Sequence, residues 1–200
     1  MSSVLTRLMM FVNDTGIVNE SLKDWSTTQD KERKGRKDGA RTFLARLQMA
    51  LVFEALEVIK DIRDNATWMK KVEQCDAKTQ EHFAKASAYI DSEMDYKILA
   101  KLRNNSVFHY GNKLPVKAVE EMAIKNPKQT TTASMGDKIL DWHFELGDLV
   151  AQRVVVHHVF QVEEDADLAK ESDALAGRIF DIAEEVCSFA GGFIREHTKA

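Results

Sequence analysis

The chain has 200 residues, which is enough for one domain with a sizeable core. Its composition, 44% hydrophobic and 30% charged residues, is typical of a globular protein. The formal net charge of −4 excludes a bulk attraction to nucleic acid, so any contact with RNA must come from a local patch. Only nine Gly and two Pro residues interrupt the chain, which leaves long stretches without a helix breaker.

Two further features narrow the class of protein. No apolar run reaches the length that spans a membrane, and the start of the chain lacks the cleavage site of a signal peptide. Cys75 and Cys187 are far apart in helical contexts, which suggests neither a disulfide framework nor a zinc site. We therefore expect a cytoplasmic protein that has no membrane partner, no metal and no cofactor.

The first predicted element is a short N-terminal helix. The segment from Asn13 to Gly39 is polar, charged and aperiodic, so we interpret it as a mobile connection. Residues 1–39 would then precede a helical bundle that spans residues 40–200. The basic run "KERKGRK", Lys31 to Lys37, lies in this connection. A solvated loop is the preferred interpretation of the run, and a patch that contacts phosphates is the alternative.

The next predicted element is a long central helix from Asp38 to Asn65. Two stripes at helical spacing make it apolar on two sides, so we expect it to be largely buried. The first stripe contains Leu44, Leu47, Leu51, Ala55, Val58 and Ile62, and the second contains Met49, Val52, Leu56 and Ile59. Predicted helices from Thr67 to Lys85 and from Ser87 to His109 follow. Gly111 stops the second of these, and Pro115 can begin the next helix.

The C-terminal part of the chain also reads as helix. A predicted loop from Asn126 to Asp137 precedes a predicted helix from Lys138 to Gln161. The β-branched run "VVVHHVF" near the end of that helix makes a strand the alternative for this segment. The last helix has the clearest periodicity, in Leu168, Leu175, Ile179, Ile182, Val186, Phe189 and Phe193. The sequence therefore predicts an all-α bundle of five to seven helices.

The stretch "LRNNSVFHYGNKLP", which begins at Leu102, contains the candidate catalytic residues Arg103 and His109. Positions six apart lie about 120° apart around a straight helix and about 9 Å apart along it, so these side chains do not share a face automatically. Arginine is long, however, and His109 lies just before the stop at Gly111, where a helix can fray. Asn105 shares the face of His109, at the edge of an apolar stripe where packing can lower the pKa of the imidazole.

The residues "RNNSVFHY" resemble the signature of the HEPN superfamily, in which an Arg followed by a polar residue precedes a His by four to six residues. The ending "FHYGN", an aromatic residue, His, Tyr and a turn, strengthens the resemblance, which covers roughly Ala88 to Pro115. It implies a HEPN-like helical bundle and metal-independent RNA cleavage. In that reaction the 2′-hydroxyl attacks the adjacent phosphate and leaves a 2′,3′-cyclic phosphate and a free 5′-hydroxyl.

The resemblance also implies roles for individual residues. His109 would be the general acid or base, and Arg103 would hold the scissile phosphate and offset the charge growing on its oxygens. Asn104 would orient the phosphate or the imidazole, and Tyr110 would support the site. Glu54, which lies between the apolar stripes of the central helix, would be a polar member of the same cleft.

The resemblance implies partners as well. Members of the family commonly pair so that both motifs line one cleft, so we expect a homodimer. RNA is the candidate substrate. An antitoxin or another partner protein is a further candidate if the chain is a toxin or a component of defence.

Each of these residues also has a structural interpretation. His109 can cap the helix end, and Arg103 can pair with Glu93, Asp95, Glu54 or Glu57. For the whole chain, the alternative is a non-catalytic HEPN-like module that binds nucleotide or a protein partner, or simply dimerises. The acidic net charge favours this alternative, whereas the intact Arg, Asn and His favour the ribonuclease.

A second match to the Arg–His pattern occurs in "RVVVHH", from Arg153 to His158. Val154 replaces the polar neighbour there, and no helix stop follows. We therefore predict structural roles for Arg153, His157 and His158.

Overall fold

The computed structural model describes residues 3–29, 36–104, 113–137, 142–166 and 168–198 of the chain. Eight α-helices dominate these ranges, so the predicted all-α fold is confirmed. None of the described helices combines the length and the low charge that a membrane-crossing segment requires. The helices are α1 (Ser3–Thr27), α2 (Lys37–Arg63), α3 (Ala66–Glu73), α4 (Ala77–Asp91), α5 (Glu93–Leu102), α6 (Lys113–Lys125), α7 (Glu145–Arg153) and α8 (Leu168–His197).

The described ranges contain more helices than the predicted five to seven because polar side chains divide two predicted helices. The predicted helix from Thr67 to Lys85 is split where the Asp76 carboxylate accepts a hydrogen bond from the Thr79 amide at 2.8 Å and begins α4. Similarly, the Ser92 hydroxyl accepts from the Asp95 amide and begins α5. Side chains at this position satisfy amide groups that the first helical turn leaves unpaired.

The N-terminal helix is long, and the prediction of a mobile connection from Asn13 onwards is wrong for residues 13–27. α1 continues to Thr27 and lies along α2. Only one stripe of α1 needs to be buried against α2, and it contains Leu8, Phe11, Thr15 and Val18. The polar residues between these positions face solvent, which is why this half of α1 looks aperiodic in the sequence.

The core is built around α2, as its two apolar stripes predict. α2 contacts α1, α4, α5, α7 and α8, and the side chains of Val52, Leu56, Ile59 and Ile62 are fully buried. Burying one such side chain contributes about 1.5–3 kcal/mol relative to leaving it exposed. From the other side of the core, Phe189 and Phe193 of α8 pack with ring centroids 5.1 Å apart. This central position makes α2 the frame against which α5, with Arg103 at its end, is oriented.

The region before α7 differs from the predicted helix from Lys138 to Gln161. Residues 138–141 lie outside the described ranges, and α7 begins only at Glu145. Two short strands, β1 (Ala133–Ser134) and β2 (His143–Phe144), pair antiparallel before it. The Glu145 carboxylate accepts hydrogen bonds from the backbone amide and the hydroxyl of Thr132, both at 2.8 Å, which holds this hairpin against the start of α7.

The β-branched segment after α7 is helical and not a strand. Val154–Val159 forms a π-helical segment that continues α7 directly. Its amide-to-carbonyl bonds span five or six residues, from Phe160 to Val155 at 3.0 Å and from Val162 to Val156 at 3.1 Å. The alternative of a strand in this segment is therefore wrong.

Candidate functional site

Arg103 lies directly after α5, where it is the C-terminal capping residue of that helix. Its Nε donates a hydrogen bond to Oε1 of Glu54 at 2.9 Å, and its Nη1 donates to Oδ1 of Asn104 at 3.0 Å. The structure therefore brings together three of the predicted site residues. The side chains of Arg103 and Glu54 are 38% and 48% exposed, so this ion pair is accessible to a ligand from solvent.

The choice of Glu54 as the partner follows from how α5 crosses α2. Glu57, one turn further along α2, instead accepts a hydrogen bond from the Tyr96 hydroxyl. Asp95 accepts from Arg178 of α8. Glu57 and Asp95, two of the predicted alternatives for pairing with Arg103, are thus engaged elsewhere, and Glu54 holds the guanidinium.

A groove between α1 and α2 adjoins this ion pair. Its volume is about 220 Å³, and Glu54 forms part of its wall. Phe11 and Leu51 contribute apolar surface, while Arg7 and Asp14 of α1 are its charged residues besides Glu54. Asp14 is not among the predicted site residues, because the polar composition of its surroundings predicts a mobile segment there. The spacing of Arg7, Met10 and Asp14, three and four residues apart, was the available signal.

Two predicted site residues cannot be placed. His109 and Tyr110 lie in residues 105–112, outside the described ranges. Most of the basic run from Lys31 to Lys37 also lies outside them, and only Arg36 and Lys37 are described. The described part of the candidate site is thus the Arg103–Glu54–Asn104 group and the adjacent groove.

The second Arg–His match lies in a much more buried environment. The Arg153 side chain is only 12% exposed, and its guanidinium pairs with both Glu121 and Glu164. The His158 side chain is 8% exposed, and burial lowers the pKa of its imidazole. Desolvation opposes ionisation of Glu121, yet the hydrogen bond from Arg153 and the neighbouring positive charges lower the pKa of that carboxyl overall. These contacts agree with the structural roles predicted for Arg153 and His158.

The cysteines offer no activated nucleophile. Sγ of Cys75 lies 3.8 Å from Nε2 of His197, and the same nitrogen lies 3.0 Å from the carbonyl oxygen of Lys71. A carbonyl oxygen only accepts, so Nε2 carries the proton and cannot take one from the thiol. Burial raises the pKa of the Cys75 thiol, and burial raises that of Cys187 to about 11. Both thiols are therefore held in the protonated, unreactive form.

Among the residues that the structure describes, no group of three or more His, Cys, Asp or Glu side chains is arranged to hold a metal ion. What the Arg103 group offers is a fixed cation with one carboxylate and one amide beside it. Such an arrangement can bind a phosphate and stabilise negative charge on it.

No protein-family model matches the chain, and comparisons with curated proteins and with solved structures find no match.

Proposed function

We propose that this chain is a HEPN-like, metal-independent endoribonuclease in which Arg103 binds the scissile phosphate. The observation that carries the proposal is the accessible guanidinium of Arg103, which Glu54 and Asn104 hold beside a groove. An exposed ion pair contributes only about 0–1 kcal/mol to stability, so stabilisation of the bundle is a weak explanation for this arginine.

The geometry of Arg103 suits an exchange of partners. Glu54 uses Nε and Asn104 uses Nη1, which leaves Nη2 without a hydrogen bond to any described residue. An exposed ion pair contributes only about 0–1 kcal/mol to stability, so phosphate oxygens can compete for the guanidinium at little cost. The phosphate would then take the place of the Glu54 carboxylate and also bind Nη2, while Asn104 keeps the arginine oriented.

His109 supplies the proton transfer in this proposal. The 2′-oxygen forms a bond to phosphorus as the 5′-oxygen leaves, and the 2′-proton is removed while the leaving oxygen gains a proton. An imidazole can serve on either side because its ordinary pKa lies near neutrality. Arg103 offsets the negative charge that grows on the phosphate oxygens. The products are a 2′,3′-cyclic phosphate and a 5′-hydroxyl, and neither water nor metal takes part.

A homodimer belongs to the same proposal. One arginine and one histidine per chain are few catalytic groups, and a two-fold axis near the end of α5 would bring two sets into one cleft. The roles of toxin or defence component, with an antitoxin as partner, follow from the resemblance alone.

A specific observation favours the second candidate, a non-catalytic helical module. The pairing of Arg103 with Glu54 also fits an arginine that joins α5 to α2 and does no chemistry. The net charge of −4 works against affinity for RNA as well. The two candidates predict opposite effects of changing Arg103: loss of activity for the ribonuclease, and loss of stability for the module.

The deciding experiment is incubation with total RNA in the presence of a chelator. We expect the wild type to cleave RNA and to leave cyclic phosphate ends. Arg103→Ala and His109→Ala should each lower the rate by about a hundred- to ten-thousand-fold and leave the melting temperature nearly unchanged. Arg195→Ala is the matched control, because Arg195 is also an exposed arginine paired with one carboxylate, that of Asp76 at 3.2 Å. Intact RNA with the wild type, or equal loss of rate in all three variants, would refute the proposal.

A further inference from the structure

The groove between α1 and α2 presents apolar surface to a ligand. Five of the eight described residues that line it are apolar, and of these Phe11, Ala55 and Val58 are buried while Met10 is 58% exposed. Its volume of about 220 Å³ lies below the roughly 300–1,000 Å³ of sites for drug-sized ligands. The size and the lining therefore suit a small, flat ring system.

The charges of the groove leave one carboxylate available to such a ligand. Among the described lining residues, Arg7 pairs with Asp61 at 2.6 Å, and Glu54 pairs with Arg103 at 2.9 Å. Asp14 is exposed and makes no hydrogen bond or ion pair with any residue that the structure describes. A carboxylate only accepts hydrogen bonds, so a ligand that uses Asp14 must bring N–H or O–H donors.

The groove also lies next to the arginine that binds the scissile phosphate in the proposed function. Glu54 belongs to both places, since it lines the groove and pairs with Arg103. In RNA, the scissile phosphate and the base of the nucleotide that supplies the 2′-hydroxyl are attached to the same ribose. A single ribose thus separates a phosphate held by Arg103 from a ring system that fits the groove.

We propose that the groove is a guanine-binding subsite, in which Asp14 accepts hydrogen bonds from N1–H and the 2-amino group of the base. The ring of the base would contact the apolar lining. The link between this subsite and cleavage rests on the proposed ribonuclease, whereas the affinity of the groove for guanine does not. If both hold, the enzyme cleaves RNA on the 3′ side of guanosine.

The commitment to guanine follows from the chemistry of Asp14. Guanine has two adjacent N–H donors on one edge, and these match the two oxygens of a carboxylate. Adenine and cytosine place an acceptor nitrogen beside their amino group, and uracil places a carbonyl oxygen on each side of its single N–H. With these three bases an acceptor atom would face the carboxylate, which disfavours them.

Binding of the four 2′-deoxynucleoside 3′-monophosphates tests the subsite without cleavage, because these probes lack the attacking hydroxyl. We expect calorimetric titration of the wild type to show about five- to ten-fold tighter binding of the guanine nucleotide than of the other three. Asp14→Asn should lose this preference, since the amide places an N–H donor against the donors of the base.

Asp24→Asn is the matched control. Asp24 is also an exposed aspartate of α1, and it does not line the groove, so its replacement makes the same change in charge on the same helix. This variant should keep the preference for guanine. Equal affinities for the four nucleotides in the wild type would overturn the proposal. So would a preference that survives in Asp14→Asn, or one that is lost equally in both variants.

Sequencing of the cyclic phosphate ends left on total RNA separates this inference from the proposed function. If the wild type cleaves no RNA but prefers the guanine nucleotide in an Asp14-dependent way, the ribonuclease proposal fails and the subsite stands. If it cleaves after all four nucleotides equally and binds them equally, the subsite is wrong and the ribonuclease stands. Cleavage without a preference for guanosine by a protein that binds guanine would refute the assignment of the groove to the cleaved nucleotide.

Discussion

Arg103 and Arg153 begin the two Arg–His patterns of this chain, and the structure gives them opposite environments. Arg103 is 38% exposed and pairs with one carboxylate, whereas Arg153 is 12% exposed and pairs with two. Two carboxylates engage all three nitrogens of the Arg153 guanidinium, so a phosphate would have to displace one of them from a largely buried arginine. Arg103 can exchange its partner at little cost. An Arg–His pattern therefore does not by itself indicate a catalytic site. Two properties of the arginine distinguish a candidate site from a structural cluster: how buried its side chain is, and how many acidic partners it has.

The largest expected difference between the two arginines is in stability. Breaking a buried ion pair by removing one partner costs about 3–5 kcal/mol, and Arg153→Ala should fall toward the lower end because Glu164 remains 40% exposed. Arg103→Ala should cost at most about 1 kcal/mol. Urea unfolding monitored by circular dichroism measures both free energies. Equal costs for the two variants would mean that exposure does not distinguish the sites.

The sequence predicts the periodic elements of this fold well and the tertiary partners poorly. α2 and α8 follow directly from apolar stripes. The starts of α4 and α5 were also readable, since Asp76 and the pattern of Ser92 with Asp95 are N-terminal capping signals. By contrast, Glu54 was one of four acids proposed for Arg103. Its selection depends on the crossing of α5 over α2, which residue spacing within one helix does not determine.

The same limit explains the partners of Arg153. Glu121 and Glu164 meet this arginine only because α6 packs beside the π-helical segment and Gln161 turns the chain back. Nothing in the local sequence indicates either event. Because Val154 stands where the pattern has a polar residue, the sequence predicts a structural role for Arg153. It does not identify Glu121 and Glu164 as the carboxylates that pair with this arginine.

The second expected effect is on the pH dependence of stability. Burial lowers the pKa of folded His158 below its ordinary value of 6.5. Such a group contributes stability that is fully present above the unfolded pKa and is lost as pH falls through the folded pKa. We expect the melting temperature of the wild type, relative to that of His158→Gln, to decrease between pH 7 and pH 5. Scanning calorimetry of both proteins at matched ionic strength measures this difference. A difference that stays constant across this range would show that His158 has the same pKa in the folded and the unfolded protein, which contradicts a pKa lowered by burial.

The smallest expected effect concerns Glu54, and it tests whether Arg103 can change partners. Replacing Glu54 by Gln removes an exposed ion pair, so the free energy of unfolding should fall by no more than about 1 kcal/mol. The same change removes the carboxylate that competes with phosphate for Arg103. An oligonucleotide made entirely of 2′-deoxy nucleotides cannot be cleaved through a 2′-hydroxyl, and so reports binding alone. We expect Glu54→Gln to bind it several-fold more tightly, since about 1 kcal/mol corresponds to roughly a five-fold change in affinity.

Asp91→Asn is the matched control for this measurement. Asp91 is also an exposed carboxylate, and it pairs with Arg63 of α2 at 2.9 Å, so its replacement makes the same change in charge away from the groove. Fluorescence anisotropy at fixed salt should show tighter binding for Glu54→Gln and a smaller change for Asp91→Asn. If both variants bind equally more tightly, the gain reflects the overall negative charge of the protein and not the release of Arg103. If neither variant gains affinity, Arg103 does not exchange Glu54 for phosphate, and the contrast between the two arginines is one of stability alone.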